Sequence, residues 1–156
     1  MGVRIREAYQ LVLIGLVATA PGQAARSDST ARSHLAVTAQ VAAVTRIVGA
    51  QQPAIVTISP DDAARGYVTA QATLMVRSNA PGGYVLTLWP RAPWFDSVRV
   101  VGAGPATDLP GDGGSIVQPT PASAVDEMSL ELTFRLRDGV PEGAYAWPVE
   151  FEVSPL

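Results

Sequence analysis

Two stretches near the end of the chain decide the fold: MSLELTFRLR at residues 128–137 and YAWPVEFEV at residues 145–153. Apolar and polar residues alternate in both, which places one kind of side chain on each face of a β-strand. An antiparallel sheet with one buried and one solvated face requires this alternation. We therefore predict two strands of such a sheet, with a loop at residues 138–144 between them.

Pro148 interrupts the polar face of the second stretch. Because proline has no backbone N–H, it belongs on an edge strand or where its nitrogen faces away from a partner strand. The sequence thus predicts a terminal edge strand. Its apolar face would consist of Tyr145, Trp147, Val149, Phe151 and Val153.

The rest of the chain contains short β-type runs separated by turns rich in Gly and Pro. The pattern gives about eight candidate strands, no long amphipathic helix, and one helical turn at residues 59–66 (SPDDAARG). In that turn Asp61 and Asp62 are predicted to complement the helix dipole rather than to form a catalytic pair. The predicted fold is all-β, an antiparallel β-sandwich of about 7–8 strands.

The first 24 residues have the features of a signal peptide. Leu11–Ala20 is a run of ten residues without charge, which is shorter than a membrane span. Gly22-Gln23-Ala24 provides a small-residue site, so we predict cleavage after Ala24. An uncleaved N-terminal anchor is the alternative. After cleavage we expect no stable membrane span and an exported protein, in the periplasm or at the cell surface of a bacterium.

Two segments precede the remaining strands. Residues 25–34 (ARSDSTARSH) are polar without periodicity and are predicted to form a flexible arm, so that the sandwich domain covers residues 35–156. The following segment alternates and is predicted to be a strand, although its alanines leave a helix open. One face of that strand would carry Leu35, Val37, Ala39, Val41 and Ala43.

Composition excludes several kinds of chemistry. The 156 residues include no Cys, no Lys and a single His, His34. Disulfides, thiol or Schiff-base catalysis and a multi-histidine metal site are therefore excluded within one chain. The net charge is −3 and the arginines are scattered, so no basic stripe for nucleic acid is visible. We expect no cofactor and no enzyme activity.

Three groups of polar residues are candidates for a catalytic or metal site. His34 adjoins the polar arm and is expected to be solvated rather than part of a triad. Asp108 and Asp112 lie in a Gly-rich loop without the spacing of a calcium loop, so a plain turn is the favoured interpretation. A carboxylate pair for glycoside hydrolysis would have to come from Glu127, Glu131, Glu150 and Glu152, and the last three fall on outward strand faces, where charge is expected anyway.

Trp89, Trp94 and Phe95 form an aromatic cluster interrupted by Pro90 and Pro93. Trp89 falls on the strand face opposite Leu86 and Leu88. Exposed rings would form a platform for stacking on sugars or a subunit contact, whereas buried rings would cap the open end of the sandwich. Both possibilities remain open from the sequence.

Three features together resemble a known family. They are the signal peptide with its alternating segment, Arg77-Ser78-Asn79 followed by Gly83-Tyr84-Val85-Leu86, and an F-x-L-x-x-G-x-x-x-G-x-Y pattern at residues 134–145. The chain resembles bacterial chaperone–usher pilins and secreted subunits of the spore-coat-protein-U type. The resemblance implies an immunoglobulin-like sandwich lacking one strand, which the next subunit, or temporarily a chaperone, supplies by β-strand addition.

The resemblance suggests a role for two segments. Residues 35–43 would be the donated strand, and residues 145–153 the edge strand that accepts a partner. The chain lacks the Cys pair of many pilins, and eight candidate strands leave no obvious vacancy, so residues 35–43 as the first strand of a complete sandwich remain an equal alternative.

These observations lead to an expected function. It is a structural subunit of a surface appendage or coat, whose partners would be copies of itself, related subunits, and a periplasmic chaperone and usher. The alternative is an exported carbohydrate- or protein-binding module that uses the aromatic cluster.

Overall fold

The computed structural model describes residues 38–121 and 125–156. Within them the protein is all-β with one short helix, α1, and all strand pairs are antiparallel. The elements in chain order are β1 (Thr45–Gln51), β2 (Ile55–Ile58), α1 (Pro60–Arg65), β3 (Tyr67–Ser78), β4 (Tyr84–Pro90), β5 (Phe95–Val101), β6 (Thr107–Pro110), β7 (Gly114–Gln118), β8 (Asp126–Leu136), β9 (Gly143–Ala146) and β10 (Val149–Pro155). The prediction of an antiparallel all-β sandwich is confirmed.

The strands form three sheets. A five-stranded sheet has the order β1-β3-β8-β5-β6, a three-stranded sheet has the order β10-β4-β7, and β2 pairs with β9. The structure thus describes ten strands rather than seven or eight. The sequence interpretation missed the short strands β1 and β6, and it merged β9 and β10 into one.

Alternation along the strands builds the core, as the sequence predicted. On β8 every second side chain from Met128 to Leu136 is buried, and on β4 Tyr84, Leu86 and Leu88 are buried in the same way. Strand β8 lies between β3 and β5, so both of its edges are hydrogen-bonded. The central strand β8 therefore fixes the register of its two neighbours, β3 and β5, in the five-stranded sheet.

An aromatic cluster fills one part of the core around Phe134. Its ring lies 5.5 Å from Trp94, 5.2 Å from Phe95 and 6.2 Å from Trp147, measured between ring centroids, and all three pairs are edge-to-face. This geometry is the one that aromatic pairs favour.

The predicted single strand at residues 145–153 is wrong, because the chain changes sheets at Trp147 and Pro148. Tyr145 belongs to β9, whereas Val149, Phe151 and Val153 belong to β10. Pro148 has no N–H for a ladder, and its carbonyl instead accepts a hydrogen bond of 2.6 Å from the backbone N–H of Arg91. Trp147 donates its backbone N–H to the carbonyl of Ala54.

The helical turn has the caps that the sequence predicts. The Ser59 side chain accepts the backbone N–H of Asp62, the Asp62 carboxylate accepts the backbone N–H of Ser59, and Gly66 ends the helix at φ 79°. The hydrogen bonds from Ser59 hold the pKa of the Asp62 carboxyl below its ordinary value. The two aspartates thus serve the helix, as expected.

The features predicted for the N-terminal part of the chain lie partly outside the described residues. The signal peptide (1–24), the polar arm (25–34), His34, Leu35 and Val37 lie there. Residues 38–44 are described, and they form no strand. The predicted strand at residues 35–43 is therefore wrong in its described part, and the first strand is β1. Along the described residues, no helix has the length and apolarity to cross a bilayer.

The core position of Phe134 gives a stability prediction. Phe134→Ala should lower the free energy of unfolding by about 3–5 kcal/mol, because it leaves a cavity among three rings. Val117→Thr, on a side chain that is 66% exposed, should change it by less than about 0.5 kcal/mol. Urea unfolding followed by circular dichroism measures both. Equal losses in the two variants would contradict the assigned core.

Candidate functional site

Strand β10 is hydrogen-bonded on one side only. It forms one edge of the three-stranded sheet and pairs with β4 from Val149↔Pro90 to Pro155↔Tyr84. Among the described residues no strand pairs with its other side. A row of backbone N–H and C=O groups is therefore available to a further strand. Val149, Phe151 and Val153 thus lie on an edge strand of the described sheets.

The apolar side chains beside that edge are incompletely covered. Strand β1 of the other sheet contacts β10, and Ile47 on β1 together with Phe151 and Val153 on β10 are only half-buried although they pack against the core. At the opposite side of the sandwich Leu109 on β6 and Ile116 on β7 are buried, at 6% and 7% exposure. On both sides strands of the two sheets come together, β6 with β7 and β1 with β10, and the apolar side chains are less completely buried beside β1 and β10.

We call this feature the open edge: the free side of β10 and the half-buried side chains Ile47, Phe151 and Val153. It combines backbone groups without a partner strand among the described residues, which strand addition uses, with apolar side chains that are incompletely buried.

The strand order places β1 and β10 at sheet edges. Strand β1 is the first strand of the five-stranded sheet and β10 the first of the three-stranded sheet, and among the described residues no further strand pairs with either of them on the outer side.

The candidate donor segment is exposed where the structure describes it. Ala39, Val41 and Ala43 are all exposed, and the side chain of Val41 is 80% accessible. Apolar side chains in an extended segment without a partner strand are unfavourable in water. The segment therefore has apolar surface to bury.

Asn79, directly after β3, holds the last part of this segment. Its Oδ1 accepts the backbone N–H of Val44 at 2.5 Å, and its Nδ2 donates to the carbonyl of Ala42 at 3.1 Å. Its own backbone N–H donates to the carbonyl of Val44 at 3.1 Å. The sequence interpretation noted Asn79 only as part of a motif. A polar side chain directly after a strand was the available signal, but its partner lies 35 residues away.

The proposed aromatic platform is wrong for two of its three members. Trp94 and Phe95 are buried, at 7% and 1% exposure, because they turn inward toward Phe134 after the proline-rich break. Trp89 alone is exposed, at 47%, on the outer face of β4 as its alternation predicted. Its Nε1 donates to the Glu152 carboxylate at 2.7 Å.

The outer face of β10 is tied to β4 by polar side chains. Besides the Trp89–Glu152 hydrogen bond, Arg91 forms an ion pair with Glu150. Both contacts are solvent-exposed, so each contributes little to stability. They nevertheless favour one register of β10 on β4.

The remaining polar groups give no chemical site. Within residues 38–121 and 125–156, no three His, Asp or Glu side chains are grouped to hold a metal ion.

The Tyr84 hydroxyl donates to Asp126 at 2.7 Å. Burial and that carboxylate raise the pKa of Tyr84 above its ordinary value. Because its hydroxyl is already paired and its ring is buried, Tyr84 acts in packing.

Comparison with known proteins adds no match to this geometry. No family model, no curated protein and no solved structure matches the chain. The functional argument therefore rests on the open edge, the exposed segment before β1 and the exposed Trp89.

The open edge predicts a hydrogen-exchange pattern. In copies without an added strand, alternate amides of residues 149–154 should exchange at nearly unprotected rates, because they point away from β4. The amides of β8, which is paired on both sides, should exchange at least about 100-fold more slowly. Exchange followed by NMR measures this. Protection of every amide in β10 would show that its edge is covered.

Proposed function

We propose that the protein is a structural subunit that associates with other copies by β-strand addition at the open edge. The observation that carries this proposal is the free side of β10 beside side chains that the sandwich leaves half-covered. An exposed strand edge of this kind is a template for another chain, and proteins that do not use it usually block it.

The chain also contains a strand of suitable pattern. The candidate donor residues Leu35, Val37, Ala39, Val41 and Ala43 recur at every second position, the spacing at which side chains of an added strand enter alternate pockets. Those that the structure describes are exposed. Strand addition would bury them and pair the free backbone groups of β10 in one step.

Export is the second part of the proposal. The apolar run and small-residue site at residues 1–24 support a cleaved signal peptide, and with it a location in the periplasm or on a bacterial surface. There the subunit would build an appendage or coat. A periplasmic chaperone that covers the open edge before assembly, and an usher that releases it, are the partners expected of such a subunit.

Substitutions on the two faces of the donor segment test the proposal. The double change Val37→Asp with Val41→Asp should reduce polymer at least about tenfold, because carboxylates would enter apolar pockets. The matched change Thr38→Asp with Gln40→Asp places the same charges on the opposite face and should leave polymer nearly unchanged. Size-exclusion chromatography with light scattering on exported protein measures polymer.

Deletion of residues 25–43 is a second test of strand donation. It should leave single copies, or copies bound to a chaperone. Polymers that persist after the deletion, or equal effects of the two double changes, would contradict strand donation by this segment.

Trp89 supports a second candidate, a binding module for carbohydrate. Its ring is exposed and oriented by Glu152, and the Thr87 and Ser115 hydroxyls pair at 3.0 Å on the same face. An exposed indole with neighbouring hydroxyls and carboxylates is suited to stacking on a sugar ring.

A fluorescence titration tests this candidate. Glycans that bind at Trp89 should change the tryptophan emission of the protein, and Trp89→Ala should abolish that change. Trp94 is buried in the core and Trp147 is half-buried against it, and neither lies on the outer sheet face with Trp89, so the variant isolates the contribution of Trp89. An unchanged response in Trp89→Ala would place any bound glycan elsewhere.

A further inference from the structure

The arginines that lack a carboxylate partner all lie on one face of the sandwich. Among the residues that the structure describes, Arg65, Arg91 and Arg137 each form an ion pair. The remaining described arginines are exposed and form no ion pair with a described residue; they are Arg46, Arg77, Arg99 and Arg135. Their register places all of them on the outer face of the five-stranded sheet. Carboxylates outnumber arginines in the chain, 14 to 11, so a shortage of carboxylates does not explain this arrangement.

Arg46 on β1 and Arg77 on β3 are directly opposite each other in the sheet. Side chains in this position start about 4.5–5.5 Å apart, and like charges there repel each other. Glu127 on β8 is the nearest carboxylate by register on the described part of that face; it lies opposite Met75 and forms no ion pair with either arginine. Two guanidinium groups held together in this way are suited to an external anion, which they can bind by charge-assisted hydrogen bonds.

The outward side chains of β3 connect this arginine pair with a second cationic region. We call them the β3 row: Tyr67, Thr69, Gln71, Thr73, Met75 and Arg77. The row is about 33 Å long, at ~3.3 Å per residue. At its far end Arg135 on β8 lies directly opposite Tyr67, and the guanidinium carbon of Arg65 is 5.2 Å from the centre of the Tyr67 ring. The row thus has arginines at both ends and uncharged side chains between them.

The middle of the β3 row has groups that suit a sugar chain. Strand β1 ends at Gln51, opposite Thr73, so β3 continues to Tyr67 with no described strand on that side. A shallow cavity of about 330 Å³ lies at this point, lined by Gln51, Gln52, Pro53, Gln71, Ala72 and Thr73. Carboxamides and hydroxyls both donate and accept hydrogen bonds, as sugar hydroxyls do. The Tyr67 ring is 42% exposed, so it offers a surface on which a sugar can stack.

We infer that the β3 row binds a linear acidic polysaccharide, whose acid groups are held by the Arg46–Arg77 pair at one end and by Arg135 at the other. Cationic groups about 33 Å apart fit an extended polymer rather than one small anion. The inference does not rest on the proposed strand addition, which uses the free side of β10. It is also separate from Trp89, which lies on the outer face of the other sheet.

The carboxylates on β8 favour a polysaccharide over a nucleic acid. Glu127 and Glu131 lie opposite Met75 and Gln71, beside the middle of the row. A nucleic acid carries a charge at every nucleotide, and its phosphates would be repelled there. A polysaccharide with an acid group on every second sugar can place neutral sugars beside these carboxylates. Single-stranded nucleic acids are also bound by successive aromatic rings, and the row contains only Tyr67.

Binding of defined oligosaccharides to the full chain, exported to a bacterial periplasm, tests the inference. Hyaluronan oligosaccharides present a carboxylate on every second sugar, κ-carrageenan oligosaccharides present a sulfate on every second sugar, and dextran oligosaccharides are neutral. Poly(dT) is the nucleic-acid probe. Biolayer interferometry at low salt should show binding of at least one acidic oligosaccharide, and the better of the two identifies the acid group. Dextran and poly(dT) should bind at least about tenfold more weakly, because each lacks one part of the match.

Variants locate the binding on the β3 row. Arg46→Gln with Arg77→Gln should weaken it at least about tenfold, because charge-assisted hydrogen bonds to one acid group are lost. Arg135→Gln and Tyr67→Ala should each weaken it about threefold to fivefold. Arg91→Gln is the matched control: it removes a positive charge that is paired with Glu150 of the other sheet, and it should change binding by less than about twofold.

A charge reversal gives a readout that does not depend on the choice of glycan. Arg46→Glu places a carboxylate opposite Arg77, so it should raise the urea midpoint of unfolding while it abolishes binding of the acidic oligosaccharide. A lower midpoint in this variant would show that Arg46 already has a partner, which overturns the inference. So would a folded protein that binds neither acidic oligosaccharide, that binds dextran or poly(dT) as tightly, or that loses no more affinity in Arg46→Gln, Arg77→Gln than in Arg91→Gln.

Discussion

Pairing of the backbone of β8 on both sides is the constraint on which the rest of the structure depends. Ten register pairs join it to β3, from Tyr67↔Arg135 to Val76↔Asp126, and β5 pairs along its other side. A shift of one residue in this strand would turn every core side chain from Met128 to Leu136 outward. The five-stranded sheet can therefore be assembled in one register, and Phe134 then fixes where Trp94, Phe95 and Trp147 pack.

The two sides of the sandwich differ in how they deal with their sheet edges. Along β6 and β7 the sheets close over Leu109 and Ile116. Along β1 and β10 they leave Ile47, Phe151 and Val153 partly accessible. Proteins usually protect edges with charge, proline or bulges. Here β1 has an irregularity between Ile47 and Gly49, and Pro148 precedes β10, but the middle of β10 has no such protection on its inward face.

The sequence was sufficient for those elements in which local pattern and tertiary pairing agree. Alternation predicted β8, β4 and the outward position of Trp89, and the pattern from Ser59 to Gly66 predicted the caps of α1. It was insufficient where an outcome depended on distant partners. Residues 35–43 alternate as well as any strand, yet their described part is unpaired, whereas β1, with a glycine and an arginine in its pattern, is ordered by β3. Periodicity reports which side chains share a face; it does not report whether another strand is present.

The same limit applies to the candidate site. The sequence predicted that residues 149–153 lie on an edge strand. It could not predict the change of sheet at Pro148, because that change depends on Arg91 and Ala54, which come close to it only in the folded chain. Inward burial of Trp94 and Phe95 likewise depends on Phe134, 39 and 40 residues further along the chain (134 − 95 and 134 − 94). The role of Asn79 depends on atoms more than 30 residues away.

The hydrogen bonds between Asn79 and residues 42–44, which continue the pairing of β1 with β3, have a mechanical consequence. In a polymer built by the proposed strand addition, a pulling force would enter each copy along the axis of β1 and leave it along a strand lying beside β10. Strands loaded parallel to their length share the force among all of their cross-strand hydrogen bonds, whereas strands peeled apart from one end break these bonds one at a time. Three hydrogen bonds at one asparagine would thus decide whether a chain of subunits resists tension in shear or unzips.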